Sequence, residues 1–393
     1  MGRQEVAAEY DAGWSALAAG KPEKAHRIFF GLKEAWPGRP GIWIGLARAA
    51  LALQQPEEAL RLAEEAKERS TSVNPAWFAI RALAHLALRE PGEAEAALRE
   101  WIAFMPSAWE PHWRLMNLMS QTFRQEEAMA WLQECAPRFA THDALPGLRV
   151  QLLISLHRLR EAASVAREAI PQMVSATGLV HLFPLLPRLF GEHESCVAVW
   201  RSMRMRLDAL EGQAGRDDLS GALSVRLRFA LGEYSAFGDE AQALLSGGRA
   251  GTLAIPLRDT LRGRAVSQVD ARQQSKVFVV GLSKTGATSL TVALSQLGYI
   301  SHHWSNPLTY RMLRAHDADL YDALSDIRVV DLLSELPERY PQARFILSTR
   351  RCTNWVEVMR RHYHRLHGTV DFNALRGLQH YPLTLNQCER IVL

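Results

Sequence analysis

The chain is poor in cysteine. Cys135, Cys196, Cys352 and Cys388 are the only four in 393 residues, and no two form a C-x-x-C. Such scatter offers neither a disulfide framework nor a zinc framework, and fits reduced thiols in a cytoplasm. No uncharged apolar stretch reaches the roughly 18 residues of a membrane span, so none is expected. The opening MGRQEVAAEYDAG lacks an apolar centre and does not read as a secretory signal. Strong charge of either sign is missing too. Lys and Arg number 46 and Asp and Glu 42, a balance of +4, far too small to argue for nucleic acid. What is present is ordinary globular material, 48% hydrophobic and 22% charged, with length for two or three domains.

The first half repeats. Ala25 stands in KPEKAHRIF, Ala59 in QPEEALRLA, Ala94 in EPGEAEAAL, Ala128 in RQEEAMAWL and Ala162 in RLREAASVA. Their separations are 34, 35, 34 and 34 residues. That period and local pattern mark tetratricopeptide repeats, each a pair of amphipathic helices that buries its apolar faces only by stacking. The alanine marks where the second helix passes close to the first. Trp43 and Trp77 are 34 apart, Gly13 and Phe29 fall at small and aromatic positions, and Pro37, Pro106, Pro137 and Pro171 fall at or near repeat ends. The 11 tryptophans are concentrated here and are read as inter-helix packing rather than a ligand groove. From Gln172 to about Gln274 the helical pattern persists while the period fades, as in VHLFPLLPRLF and SVRLRFALGEYSAF. Gly247, Gly248, Gly251 and DARQQS then suggest a loose connection.

The most informative stretch is Ser275–Leu290, SKVFVVGLSKTGATSL. A short β-branched run, Val277 to Val280, precedes a turn of small residues with one lysine. Leu290, Val292, Ala293, Leu294 and Leu297 follow at helical spacing. Strand, small-residue turn and helix make a phosphate cradle, in which backbone N–H groups and the helix N-terminus face an anion. It is not a Walker A loop. Counting from Gly281, Ala287 stands where that loop places its lysine, which disfavours nucleotide triphosphate hydrolysis.

The position of Lys284 resembles the 5′-phosphosulfate loop of sulfotransferases that use 3′-phosphoadenosine 5′-phosphosulfate (PAPS), P-[KR]-[ST]-G-[TS]-[TS]. Ser283 replaces the proline, and Ala287 the first of the paired threonines. A second anchor lies about 65 residues on, RFILSTRRCTNWVEVMRR, similar to the family's F-I-L-x-x-R-D-P-x-x-W-x-x-S. Phe345, Ile346, Leu347, Arg350 and Trp355 match, whereas Arg351, Cys352 and Val358 stand where Asp, Pro and Ser are usual. Tyr321–Val329 and Pro337–Phe345 also look like the bacterial branch. The resemblance covers about the last 120 residues. It implies an α + α/β chain, with a tetratricopeptide superhelix followed by a short parallel-sheet, P-loop-like domain. The expected divisions are 1–171, 172–274 and 275–393. Related domains continue well past the second anchor, so the resemblance implies a short or truncated catalytic domain.

The implied chemistry is transfer of a sulfuryl group from PAPS to a hydroxyl or amine, with no metal. Lys284 would hold the 5′-phosphate and follow charge onto the bridging oxygen. Ser283, Thr285, Gly286, Ala287, Thr288 and Ser289 would complete the cradle, and Arg350 would bind the 3′-phosphate through its forked donors. The segment from Ser275 holds 14 Lys and Arg against 10 Asp and Glu, whereas the rest balances at 32 of each. That excess suits a polyanionic ligand. The proton acceptor stays open among His303, Asp326 and His302. Since strand neighbours point to opposite faces, only one of the two histidines can face the site. His362, His364 and His367 read as part of a solvated basic helix, not a metal site. The repeats are expected to recruit a protein or peptide partner. The alternative is an inert scaffold whose nucleotide site has degenerated; the acceptor is not legible.

Overall fold

The computed structural model describes residues 3–190, 193–266, 274–282 and 284–367. The chain packs as two compact units, Met1–Ala140 and Thr141–Leu393.

The first unit is helical. Its helices are α1 (Arg3–Ala18), α2 (Pro22–Ala35), α3 (Pro40–Ala52), α4 (Pro56–Glu68), α5 (Pro75–Leu88), α6 (Pro91–Phe104), α7 (Trp109–Gln121) and α8 (Gln125–Cys135). Each packs on the next. Helices α2 to α6 all begin with proline. At that position the missing N–H has no partner to lose and the fixed φ already suits a helix. Ala25, Ala59, Ala94 and Ala128 lie on the second helix of successive pairs and are fully buried, as their spacing predicts. Phe29 shows why small residues flank it. A Cβ on Gly13 would come within 2.7 Å of its ring, and one on Gly45 within 2.6 Å, so the ring fills space that both glycines leave. Trp43 and Trp77 are buried in this core, as expected of packing residues.

The second unit opens with α9 (Ala144–Ser155) and α10 (Leu159–Ala169), the fifth pair, with Ala162 buried. The less regular helices follow: α11 (Ala176–Leu182), α12 (Leu186–Phe190), α13 (His193–Ala214), α14 (Asp218–Leu231), α15 (Tyr234–Ser246) and α16 (Ala254–Val266). Among the described residues no strand precedes Val277. Four strands then make a parallel sheet: β1 (Val277–Val280), β2 (Ser301–His303), β3 (Ala323–Ser325) and β4 (Arg344–Leu347). Their order is β2-β3-β1-β4. Helix α17 (Ala287–Gln296) follows β1, and α20 (Cys352–His367) follows β4; α18 (Ile327–Asp331) and α19 (Leu336–Arg339) are single turns between β3 and β4.

Alternation along β1 builds a core on each face. Val277 and Val279 meet Leu294 and Ala323 on the α17 side. Phe278 points the other way, into Tyr321, Leu324, Leu336 and Tyr340. The loop after β2 is held by the helices before the sheet, because Leu308 is buried among Val225, Phe229, Phe237 and Leu257 of α14 to α16.

Candidate active site at the strand ends

The β1–α17 turn is shaped by close backbone approach. A Cβ on Gly281 would meet the Ser348 carbonyl at 2.5 Å and Thr285 Oγ1 at 2.8 Å, so only glycine fits. Gly286 has φ +111 and caps α17 without a side-chain bond. The first-turn N–H groups of Ala287, Thr288 and Ser289 have no carbonyl a turn earlier to bond to, which is the local basis of an anion site. Thr285 serves the turn itself. Its N–H and its hydroxyl both donate to the Leu282 carbonyl, at 3.3 and 2.7 Å. The Ser348 hydroxyl ties the turn to the segment after β4 by donating to the Thr285 carbonyl at 2.8 Å.

A cavity of about 300 Å³ lies across the C-terminal ends of the strands. It is bounded by the cradle, by His303 and Trp304 at the end of β2, by Asp326 after β3, and by Arg350 and Val358 beyond β4. Of the residues the sequence names for the site, Lys284, Gly286, Ala287, Thr288, Ser289, His303, Asp326 and Arg350 line this cavity, whereas Thr285 does not. Ser283 lies outside the described residues. Arg350 stands three residues past the end of β4 and is exposed. Lys284, Trp304 and Asp326 all have left-handed backbone, with φ of +66, +71 and +99. Non-glycine residues pay for that conformation, and such strain gathers where geometry serves function.

His303 sits at the centre of a polar network. Its Nε2 is 2.9 Å from Asp326 Oδ2 and 3.3 Å from Thr288 Oγ1, and its Nδ1 is 3.0 Å from Ser325 Oγ. His302 faces the opposite side, as the strand alternation requires. Its ring lies edge-on to Tyr321, with centroids 4.2 Å apart. Its Nε2 is buried without a hydrogen bond, 3.8 Å from Asp259 Oδ2 on α16. Burial pushes the His302 imidazole down to about 4, so the ring is neutral near pH 7 and makes no ion pair there with Asp259, whose carboxyl burial raises.

This has a consequence for acid stability. As pH falls below the ordinary histidine value of about 6.5, the unfolded chain takes up a proton at His302 and the folded chain does not. Stability is therefore lost between that value and about 4, where the folded ring titrates. The loss at this residue amounts to roughly 3 kcal/mol at ~1.4 kcal/mol per pKa unit. Urea unfolding at pH 7 and pH 4.5 should show a smaller acid loss for His302→Gln than for the unmodified chain. An equal loss would contradict a buried neutral imidazole.

Sequence reading did not single out Trp304, Ser325, Thr291 or Ser348. None belongs to a motif: Trp304, Ser325 and Ser348 stand at or just past strand ends, and Thr291 lies on α17. Among the described residues no group of three or more His, Cys, Asp and Glu side chains could hold a metal, and no helix is long and apolar enough to cross a membrane.

Comparison with known families agrees with this layout. Residues 276–392 match the family model of the sulfotransferase domain, and residues 16–84 match a tetratricopeptide repeat. A comparison with curated proteins returns no match. Among solved structures, a tetratricopeptide repeat protein from Parabacteroides merdae is 13% identical, covering 66% of this chain and 98% of that one, with a TM-score of 0.41. A thermophilic TPR protein of Thermus thermophilus is 17% identical over 57% of this chain and 98% of that one, with a TM-score of 0.37.

Proposed function

We propose that the sulfotransferase domain this chain carries behind its tetratricopeptide repeats moves a sulfuryl group from PAPS to a hydroxyl or amine acceptor. The observation that carries this reading is the single cavity that gathers groups from all four strand ends. The donor set fits a polyanion: a lysine, an arginine, hydroxyls of Thr288 and Ser289, and first-turn N–H groups. PAPS supplies an activated sulfuryl group whose departure leaves charge on a phosphate. Lys284 and the cradle hold the 5′-phosphate, and Arg350 on the β4 side holds the 3′-phosphate. The β2 and β3 side is left for the acceptor, beside Trp304, with His303 and Asp326 positioned to take its proton. Electrostatic stabilisation and positioning then provide most of the rate, since the protein forms no bond of its own to the substrate. The repeat array recruits a protein or peptide partner.

One observation favours an inert binding protein as the second reading. Val358 turns an apolar side chain to the cavity where the family usually has a serine. The two readings separate when purified full-length chain is given PAPS with labelled sulfate and a broad panel of hydroxyl and amine acceptors. Label in an acceptor is the expected result. Binding of the adenosine 3′,5′-bisphosphate product without transfer to any acceptor overturns the enzymatic reading in favour of the inert one.

A further inference from the structure

The fourth helix pair of the repeats carries a histidine where the second pair carries a tryptophan. His112 on α7 stands as far from Trp43 on α3 as Ala128 stands from Ala59, two repeats along the chain. Both side chains fasten the turn that leads into their helix. Trp43 Nε1 donates to the Pro37 carbonyl at 3.0 Å, and His112 Nε2 lies 3.1 Å from the Pro106 carbonyl, each six residues back. His112 is fully buried and takes a second bond that an indole could not. Trp131 Nε1, on α8, donates to its Nδ1 at 3.2 Å. The ring also packs edge-on against Phe139, with centroids 5.1 Å apart. One imidazole thus joins the turn before α7 to α8 and to the turn that follows α8.

The donors are fixed by chemistry on both sides. A carbonyl only accepts, and an indole N–H only gives. Nε2 therefore carries the proton and Nδ1 is bare, so only the neutral ring makes both bonds. A proton on Nδ1 would face the Trp131 N–H, donor against donor, inside a packed core.

We propose that His112 is an acid-sensitive latch of the α7–α8 pair, closed by the neutral ring and opened when Nδ1 takes up a proton. The latch stands on the repeat geometry and does not depend on the chemistry of the strand-end cavity. Few charges face the ring. Glu134 on α8 and Arg138 in the following turn are of opposite sign. Residues 105–108, before α7, include no titratable side chain. From α6, Arg99 lies over the Trp131 ring, 5.6 Å from its centroid, and is tied to Glu95. On α7 itself, Glu110 and Arg114 pair with each other. Burial holds the imidazole below its ordinary value, against the pull of the Pro106 bond. With the folded value lowered, stability at this residue is undiminished above about 6.5 and is lost from there down to the folded value. Trp43 has no such titration, so at this position acid acts on the fourth pair and spares the second.

The test reads ring and indole nitrogens of ¹⁵N-labelled full-length chain between pH 7.5 and pH 4.5. Long-range ¹H–¹⁵N spectra at pH 7.5 should show His112, identified by His112→Gln, with Nε2 protonated and Nδ1 bare. Trp131→Phe and Trp43→Phe identify the two indole signals. On acidification the Trp131 N–H signal should move upfield with the midpoint at which His112 titrates, while the Trp43 signal stays. His112→Gln keeps a donor and an acceptor but takes up no proton, so its Trp131 signal should hold still. At pH 4.5 its amide exchange across 109–135 should be ~10-fold slower than in the unmodified chain, the size expected of one buried donor left unpaired. Trp131→Phe gives a second reading that does not rely on the glutamine: without the indole donor Nδ1 is freer to protonate, and the His112 midpoint should rise. A proton on Nδ1 at pH 7.5, a Trp131 signal indifferent to the His112 titration, or a midpoint unmoved by Trp131→Phe overturns the latch. Equal exchange across 109–135 in the unmodified chain and His112→Gln overturns its opening.

Discussion

Lys284→Ala is expected to lower sulfuryl transfer by ~10²–10³-fold, the usual effect of removing one preorganised electrostatic contact. Product binding should change far less. The backbone N–H groups at the start of α17 stay in place, and on the proposed reading they hold the phosphate in ground state and transition state alike. In the proposed reaction the lysine differs, because it is the group assigned to the point where charge gathers as the sulfur–oxygen bond breaks. Its left-handed φ of +66 is set by the turn and not by its side chain, so alanine inherits the same backbone. The exposed position of Lys284 also argues that the substitution spares the core. Lys284→Arg keeps the charge and should restore part of the rate. The assay follows labelled sulfate from PAPS into whichever acceptor the unmodified chain uses, alongside calorimetric titration with adenosine 3′,5′-bisphosphate. Equal transfer by Lys284→Ala and the unmodified chain contradicts the assignment of the turn.

Arg350→Ala is expected to remove most of the preference for adenosine 3′,5′-bisphosphate over adenosine 5′-phosphate, roughly 1.5–3 kcal/mol for hydrogen bonds to a charged group. The guanidinium lies on the β4 side of the cavity, across the cradle from His303 and Trp304. A 3′-phosphate bound there leaves the 5′ end over the cradle. Arg350→Lys should recover only part of the preference, because an ammonium lacks the planar fork. Val358 lines the same cavity, so Val358→Ser adds a hydroxyl where the family usually has one and should tighten the bisphosphate. A preference that survives Arg350→Ala would move the 3′-phosphate elsewhere.

Much of this architecture is local in the sequence and therefore legible. The buried alanines report helix contacts inside one repeat, and their spacing carries the period. The β1 run, the glycines and the helical spacing after them specify the cradle within 20 residues. Lys284 and Arg350 were legible for a different reason: they sit in two anchors whose order resembles a known family. The rest depends on contacts between distant segments. Alternation along β2 says that His302 and His303 face opposite ways, but only the packing of α16 decides that His302 is the buried one. Ser325 and Thr291 are ordinary small polar residues until parallel pairing of β2 with β3 sets them behind His303. The conformation of Trp304 follows from the turn after β2, and no residue there announces a positive φ. Thr285 looks like a ligand residue in the motif, yet its donors are used within the turn.

The central claim is that the cavity at the strand ends is a site for a nucleotide bearing both a 3′ and a 5′ phosphate. Calorimetric titration of unmodified full-length chain with adenosine 3′,5′-bisphosphate and with adenosine 5′-phosphate tests it without knowledge of the acceptor. The account predicts saturable binding of the bisphosphate and at least tenfold weaker binding of the monophosphate, the factor expected from ~1.4 kcal/mol at one phosphate. Equal affinity for the two, or no binding of either, would contradict it.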